Sequence, residues 1–311
     1  MRVLFMGTPD FAVPTLKALC ENGYDVIGAI TQPDKPKGRG HHLTPPPVKV
    51  YAMENDIPVY QPMTLKGDEF AALLSELDPE VIVVVAYGKI LPINVLEYPK
   101  YKCINVHGSL LPEYRGAAPM QRAIIDGKKK TGITTMLMAA GLDTGDMLLK
   151  EIVDIGEDDN FEDIHDRLSV VGAELLIKTL RGIEEGKIVP EAQDDALATY
   201  AAKIEKADCE LDFSLDAKIL HDLIRGLSPI PLSFTHTPDG KLLKIAKARV
   251  FDAEKLNSCE VGTVIEVGED IKVACGKGIL SLLSVVPEGK GRMSAGDFVR
   301  GRKISVGDIL K

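Results

Sequence analysis

The sequence predicts an α/β domain built on a parallel-rich sheet, followed by a small closed β-barrel. Three observations carry this. Apolar runs at residues 3–6, 25–31 and 81–86 alternate with helical stretches at 9–21 and 67–77, the rhythm that builds a parallel sheet. The run 81–86, Val-Ile-Val-Val-Val-Ala, is the most apolar and reads as the central strand, buried on both faces. Beyond residue 206 the pattern changes to short strands with glycine turns, at 241–250, 262–267, 271–275 and 278–286, which points to a barrel.

A chain of 311 residues holds one very large domain or two ordinary ones. The boundaries predicted are 1–188 for the first domain, 189–206 for a linker and 207–311 for the second. With 45% hydrophobic and 27% charged residues the composition is that of a soluble globular protein. The net charge of −9 argues against bulk nucleic-acid binding by charge alone, without excluding a local basic surface. The five cysteines form no C-x-x-C pair, which disfavours a disulfide framework and a zinc site and suits a reducing cytosol. No run approaches the roughly 20 apolar residues of a membrane span, and the opening Met-Arg-Val-Leu-Phe-Met-Gly is too short for a signal peptide. The expectation is a cytoplasmic protein.

Taken in order, the first strand ends at Gly7, and Thr8-Pro9-Asp10-Phe11 opens a helix that Gly23 stops. Gly7 stands alone where a Rossmann dinucleotide site needs G-x-G-x-x-G, so nicotinamide or flavin binding is not expected. Residues 32–49 read as a long loop dense in proline, glycine and the cations Lys35, Lys37, Arg39 and Lys49. It is either a solvated loop or an arm that touches a phosphate backbone. Residues 57–60 form a short strand, and Asp78-Pro79 breaks the helix over 67–77. The central strand delivers Tyr87-Gly88-Lys89-Ile90-Leu91-Pro92 to the carboxyl edge of the sheet, where ligands bind in open α/β folds. A strand over 103–107 comes next, then a helix over 116–126 and two strands, 131–138 and 147–155, paired as an antiparallel extension. Asp159-Asn160 caps a long helix over 161–185 that Gly186 stops. After the linker, a helix over 215–227 ends at Pro229-Ile230-Pro231.

The chemistry concentrates in residues 103–119. Asn105 and His107 are two apart in a strand, so both side chains leave one face, and Gly108 lets the backbone turn or approach a ligand. A carboxamide beside an imidazole suits polarising a carbonyl oxygen, because one donates a neutral hydrogen bond and the other a charged one. A structural role is the plainer reading of those two residues alone. A third residue weighs against it: a carboxylate such as Asp143, from the small-residue loop Gly141-Leu142-Asp143-Thr144-Gly145-Asp146, could orient the imidazole. Asp143 and Asp146 also suit simple turn formation.

Asn105, His107 and Ser109-Leu110-Leu111-Pro112, with Asp143 in Leu-Asp-Thr-Gly-Asp-Met, resemble the signature of the folate-dependent formyltransferases. The run Arg115-Gly116-Ala117-Ala118-Pro119 through Ile124 narrows the resemblance to members that act on methionyl initiator tRNA. The resemblance implies a Rossmann-like formyltransferase domain followed by an OB-like β-barrel. It implies transfer of formyl from 10-formyltetrahydrofolate to the amino group of tRNA-bound methionine, with no metal. A monomer with no membrane partner is the accompanying expectation. It implies Asn105, His107 and Asp143 as catalytic residues. Co-substrate contacts fall on Tyr87, Gly88, Ile90, Leu91, Pro92, Ser109, Leu110, Leu111 and Pro112. tRNA contacts fall on Lys35, Lys37, Arg39 and Lys49 of the long loop and on Lys247, Arg249, Lys290 and Arg292 of the barrel. Two departures stand out: His41 and His42 where the family commonly has lysines, and Ile230 where it often has tryptophan. The rivals are a hydrolase passing the formyl group to water, a formyltransferase acting on an amino-sugar nucleotide, and a catalytically silent RNA-binding protein.

Overall fold

An apolar run without alternation folds as a strand buried on both faces. Strand β1 (Arg2–Gly7) is of this kind: Val3, Leu4, Phe5 and Met6 are all fully buried. The computed structural model describes residues 1–37, 42–256 and 258–311. They divide into two units, one of Met1–Gly116, Thr131–Val153 and His165–Tyr200, the other of Ala117–Lys130, Asp154–Ile164 and Ala201–Lys311.

Helix α1 (Val13–Glu21) follows β1, with proline in its first turn, and leads to β2 (Asp25–Ile30). Residues 32–49, read from the sequence as loop, hold more structure than that. β3 (Lys35–Lys37) pairs antiparallel with β4 (His42–Thr44), and helix α2 (Pro47–Glu54) begins at the last of three prolines. Proline-rich composition marks a loop, yet proline is well suited to the first helical position, where its missing N–H is not needed. Next come β5 (Val59–Tyr60), α3 (Asp68–Leu77), β6 (Val81–Val85), the short α4 (Ile93–Leu96) and β7 (Cys103–His107). The helix expected from residue 116 starts later, because β8 (Arg115–Gly116) is extended and α5 covers Pro119–Ile125. β9 (Lys130–Leu137), β10 (Met147–Asp154), α6 (Phe161–Glu184) and β11 (Tyr200–Ala201) follow.

Seven strands form one sheet in the order β10-β9-β7-β6-β1-β2-β5, with β6 at the centre as the sequence predicts. β1 runs parallel to β2 and β6, β2 to β5, and β6 to β7, while β9 is antiparallel to β7. β1, β6 and β7 therefore end at the same edge. Cys103 joins the core formed by Leu4, Met6, Ile82 and Val84 with Phe70 and Leu74 of α3. Asn105 and His107 share that face by alternation. Val106 points to the opposite face, toward α6, where a Cβ added to Gly172 would lie 2.9 Å from Val106.

The second unit is largely antiparallel. After α7 (Ala217–Gly226) come β12 (Ser233–His236), β13 (Leu242–Asp252), β14 (Val264–Val267), β15 (Ile271–Ala274), β16 (Ile279–Pro287), β17 (Met293–Ser294) and α8 (Ala295–Arg300). The sheet order is β12-β13-β16-β15-β14, with β17 beside β16. The last residues of the chain close it. His236 and Lys311 exchange backbone hydrogen bonds at 2.7 and 3.1 Å, Val264 donates to the Asp308 carbonyl at 2.8 Å, and Leu310 donates to that of Gly262 at 3.0 Å. The tail thus covers both edge strands, β12 and β14. Leu310 is buried in the same core as Phe213, Leu243, Leu280 and Phe298.

One detail of β13 corrects the sequence pattern. Simple alternation puts Lys244 on the face opposite Lys247 and Arg249. The register slips between Ile245 and Lys247, and Ile245 and Ala246 are buried in succession. This bulge skips one residue, so Lys244, Lys247 and Arg249 all face away from the core. Among the described residues no helix is long and apolar enough to cross a membrane.

Candidate active site

Strand exits β1, β2 and β6 are tied together at one atom. Thr8 Oγ1 and Gln32 Nε2 each donate to the Tyr87 carbonyl at 3.1 Å. β7 brings Asn105 and His107 to the same edge, with His107 buried and Asn105 half-buried.

The His107 ring has two different neighbours. Nε2 lies 3.0 Å from the Tyr114 carbonyl and donates to it, while Nδ1 lies 3.8 Å from Asp143 Oδ2. The second distance is too long for a hydrogen bond. Nδ1 therefore sits beside a carboxylate without being engaged by it. Asp143 Oδ2 instead accepts the Gly116 N–H at 2.8 Å. The carboxamide of Asn105 has no hydrogen-bond partner among the described residues. The three side chains expected to act together thus leave the Asn105 amide as a donor for an incoming oxygen, and leave Nδ1 without a hydrogen bond, a second donor only in the imidazolium form of the ring.

Sequence reasoning missed Thr134. It lies directly across from His107 in β9. Its Oγ1 donates to the Ser109 carbonyl at 2.8 Å and accepts the Leu111 N–H at 3.1 Å, fixing the turn that follows Asn105 and His107. A threonine in a strand signals only β-propensity, and its role shows only once the register is known. Ser109 itself is buried and donates to the Glu113 carbonyl at 2.6 Å.

The segment expected to meet the co-substrate divides in two. Tyr87 and Leu91 lie in the sheet core. Burial pushes the Tyr87 phenol up to about 12, and its hydroxyl has no hydrogen-bond partner among the described residues. Gly88, at φ +84°, has open space where a Cβ would stand, and Ile90 is 84% exposed. Leu111 is buried, while Pro92, Leu110 and Pro112 are half-buried. Burial also pushes the Cys103 thiol up to about 12, which removes a thiolate nucleophile from this strand.

The expected cations differ in their freedom. Lys35 is exposed on β3 and Lys37 ends that strand, whereas Arg39 and His41 lie outside the described residues. Lys49 Nζ is held by Asp34 at 2.8 and 2.9 Å and by Gln61 at 2.9 Å. Hydrogen bonds from Lys49 and Gln61 keep the Asp34 carboxyl below its ordinary range. In the barrel Lys247 and Lys290 are exposed, Arg249 lies 3.4 Å from Asp270, and Arg292 Nε donates to Ser284 Oγ at 2.9 Å. Ile230 is 67% exposed.

Residues 1–180 match the formyl transferase family, and residues 203–303 match the formyl transferase C-terminal domain, which sets the class of protein. The methionyl-tRNA formyltransferase of Geotalea uraniireducens is 50% identical over 311 residues, covering 100% of this chain and 98% of the relative. That of Caldanaerobacter subterraneus subsp. tengcongensis is 50% identical over 312 residues, covering 100% of each. The chain belongs to the methionyl-tRNA formyltransferase family. The fold is shared more widely. An N-formyltransferase from Helicobacter canadensis, solved with folinic acid and dTDP-3-aminofucose, superposes with a TM-score of 0.67 at 19% identity, over 90% of this chain and 98% of that one.

Proposed function

We propose that this chain transfers the formyl group of 10-formyltetrahydrofolate to the α-amino group of methionine on initiator tRNA. The observation that carries this reading is end-to-end similarity, at 50% identity, to proteins of that activity. The site geometry fits the reacting group. Asn105 is an unengaged donor, the imidazolium form of His107 presents a second at Nδ1 on the same strand face, and an amide under attack needs donors where negative charge develops on its oxygen. The Tyr114 carbonyl orients the ring through Nε2, and Asp143, 3.8 Å from Nδ1, places a negative charge that balances an imidazolium. The nucleophile is a free amine. An α-amino group titrates at about 8 in peptides, so an appreciable fraction is neutral near neutral pH and no strong base is required.

In this reading residues 1–188 hold the chemistry, 189–206 connect, and 207–311 grip the tRNA. Gly88, Ile90 and Pro92 supply the accessible part of the co-substrate contact, with Tyr87, Leu91, Ser109, Leu110, Leu111 and Pro112 behind or beside them. Lys35, Lys37 and Arg39 belong to the arm at the acceptor end, and Lys49, in α2 and held by Asp34 and Gln61, is the least available of the four cations. Lys247, Arg249, Lys290 and Arg292 meet phosphates from the barrel.

The test is direct. Purified protein is mixed with 10-formyltetrahydrofolate and methionyl initiator tRNA, and the recovered methionine is analysed. Formyl-methionine is the expected product. Free formate in its place would assign a hydrolase, and formylation of an amino-sugar nucleotide alone would move the substrate to another class.

A further inference from the structure

Segment 193–199 falls in the stretch that the sequence marks as linker, yet it bonds both partners of His107. Thr199 Oγ1 accepts the Tyr114 N–H at 2.8 Å, its carbonyl accepts the Arg115 N–H at 2.9 Å, and its own N–H donates to the Pro112 carbonyl at 3.3 Å. Tyr114 is the residue whose carbonyl receives His107 Nε2. A few residues earlier, Gln193 Nε2 donates to the carbonyls of Asp143 and Gly145 at 2.8 and 2.7 Å. Arg115 Nε donates to Gln193 Oε1 at 2.9 Å and Arg115 Nη2 reaches Asp195 at 2.7 Å. The arginine fixes which way the carboxamide faces: its oxygen must meet Arg115, so its NH₂ must meet the two carbonyls.

The two loops held this way are strained. Tyr114 has φ +61° and Asp143 φ +51°, in the left-handed region that side-chain-bearing residues seldom occupy. Such residues persist only where their surroundings over-determine them. A Cβ on Gly145 would run into the Leu137 carbonyl, so the Asp143 loop has no room to relax toward β9. Without Gln193 the carbonyls of Asp143 and Gly145 lose a shared donor, and nothing else described holds the Asp143 backbone in place on that side.

We propose that residues 193–199 form a positioning strap, with Gln193 and Thr199 setting the geometry of the Asp143–His107 pair. The proposal rests on the reading of that pair given above. Neither residue touches the reacting atoms. Gln193 acts through Asp143, and Thr199 acts through Tyr114 on the Nε2 side of the ring. The formyl donor therefore meets an imidazole fixed at Nε2 by the Tyr114 carbonyl and faced at Nδ1 by the Asp143 carboxylate, both backed by a segment far along the chain.

The experiment compares Gln193→Leu, Gln193→Glu and Thr199→Val with Asp143→Asn. Gln193→Glu keeps the shape and the contact to Arg115 but turns an acceptor toward two carbonyls, so it is the sharper variant. Single-turnover formyl transfer is expected to fall about a hundredfold in both Gln193 variants, with KM for the formyl donor little changed. The double variant Asp143→Asn/Gln193→Leu should be no slower than Asp143→Asn alone, because both changes remove one interaction. Nitrogen-15 spectra of the His107 ring, recorded on the full chain without substrate, should move in each variant, and this arm decides the proposal whether or not the wild-type chain formylates tRNA. Thr199→Val, which is isosteric, supplies the same spectral test should Gln193→Leu fail to fold. Additive rate losses in the double variant, or His107 ring signals unmoved by both the Gln193 and Thr199 variants, would overturn the strap.

Discussion

His107 is held at Nε2 by a carbonyl and faced at Nδ1 by a carboxylate 3.8 Å away. The unequal distances give separable predictions. His107→Ala and Asn105→Ala should each cut single-turnover transfer by about a hundredfold or more, the loss typical of one oxyanion donor, with the fold intact. Rates within a few-fold of wild type in either variant would remove that residue from the oxyanion role. Asp143→Asn isolates charge from geometry, since the amide oxygen still accepts the Gly116 N–H. A comparable loss with unchanged thermal melting is expected, and a wild-type rate would leave Asp143 as a turn former only. The shared face of Asn105 and His107 was legible because strand period is two. Asp143 was legible as a candidate because its loop is short and rich in small residues. Thr134, Gln193 and Thr199 were not, because each acts through register or through a contact distant in sequence, which local pattern does not encode.

At the scale of elements, apolar runs announced the parallel strands, since burial on both faces leaves no alternative composition. The misreadings have physical causes too. Three prolines hid the start of α2, and a one-residue bulge reversed the face of Lys244 relative to Lys247. The closing tail was invisible because its pairing is long-range. Leu310, 2% exposed, is its apolar anchor, and Leu310→Ala should cost about 2–4 kcal/mol in urea unfolding of the second unit. A cost under half a kcal/mol would show that the tail only lies on the surface. Helix α7 carries a second test. His221 is buried among Asp222, Lys218, Arg225 and Asp158, and its Nδ1 lacks a hydrogen bond among the described residues. Burial, the largest influence, holds the imidazole below the ordinary histidine value, although Asp222 and Asp158 pull the other way. The unfolded chain thus takes up this proton first as pH falls below about 6.5, and folding loses stability from there down to the lower folded value. Stability is retained above that window. His221→Gln should shrink the difference in unfolding midpoint between pH 7.5 and pH 5.5, and an undiminished difference would assign the acid sensitivity elsewhere.

For the whole molecule, a net charge of −9 and a polyanionic substrate must be reconciled. Local arrangement does this better than total charge. Lys247 lies opposite Ser284 in the ladder, and Arg292 donates to that same serine at 2.9 Å, so two exposed cations from separate segments flank one hydroxyl. Arg249, two residues along β13, is partly balanced by Asp270 at 3.4 Å. Within the proposed function Lys247, Lys290 and Arg292, exposed and without a carboxylate partner among the described residues, serve as phosphate contacts, and Arg249 as a weaker one. Each lost contact lowers the slope of log affinity against log salt by roughly 0.7–0.9. Neutralising Lys247, Lys290 and Arg292 together should flatten that slope by about two units, while Arg249→Ala alone should change it by less than one of these steps. Arg39→Ala tests the arm separately: under the proposed role of the arm at the acceptor end it should slow single-turnover transfer while leaving most of the salt slope in place. tRNA binding measured across a salt series, beside single-turnover rates, reads both effects at once. An unchanged slope in the triple variant would mean that the barrel cations are solvated surface and that the tRNA is held elsewhere.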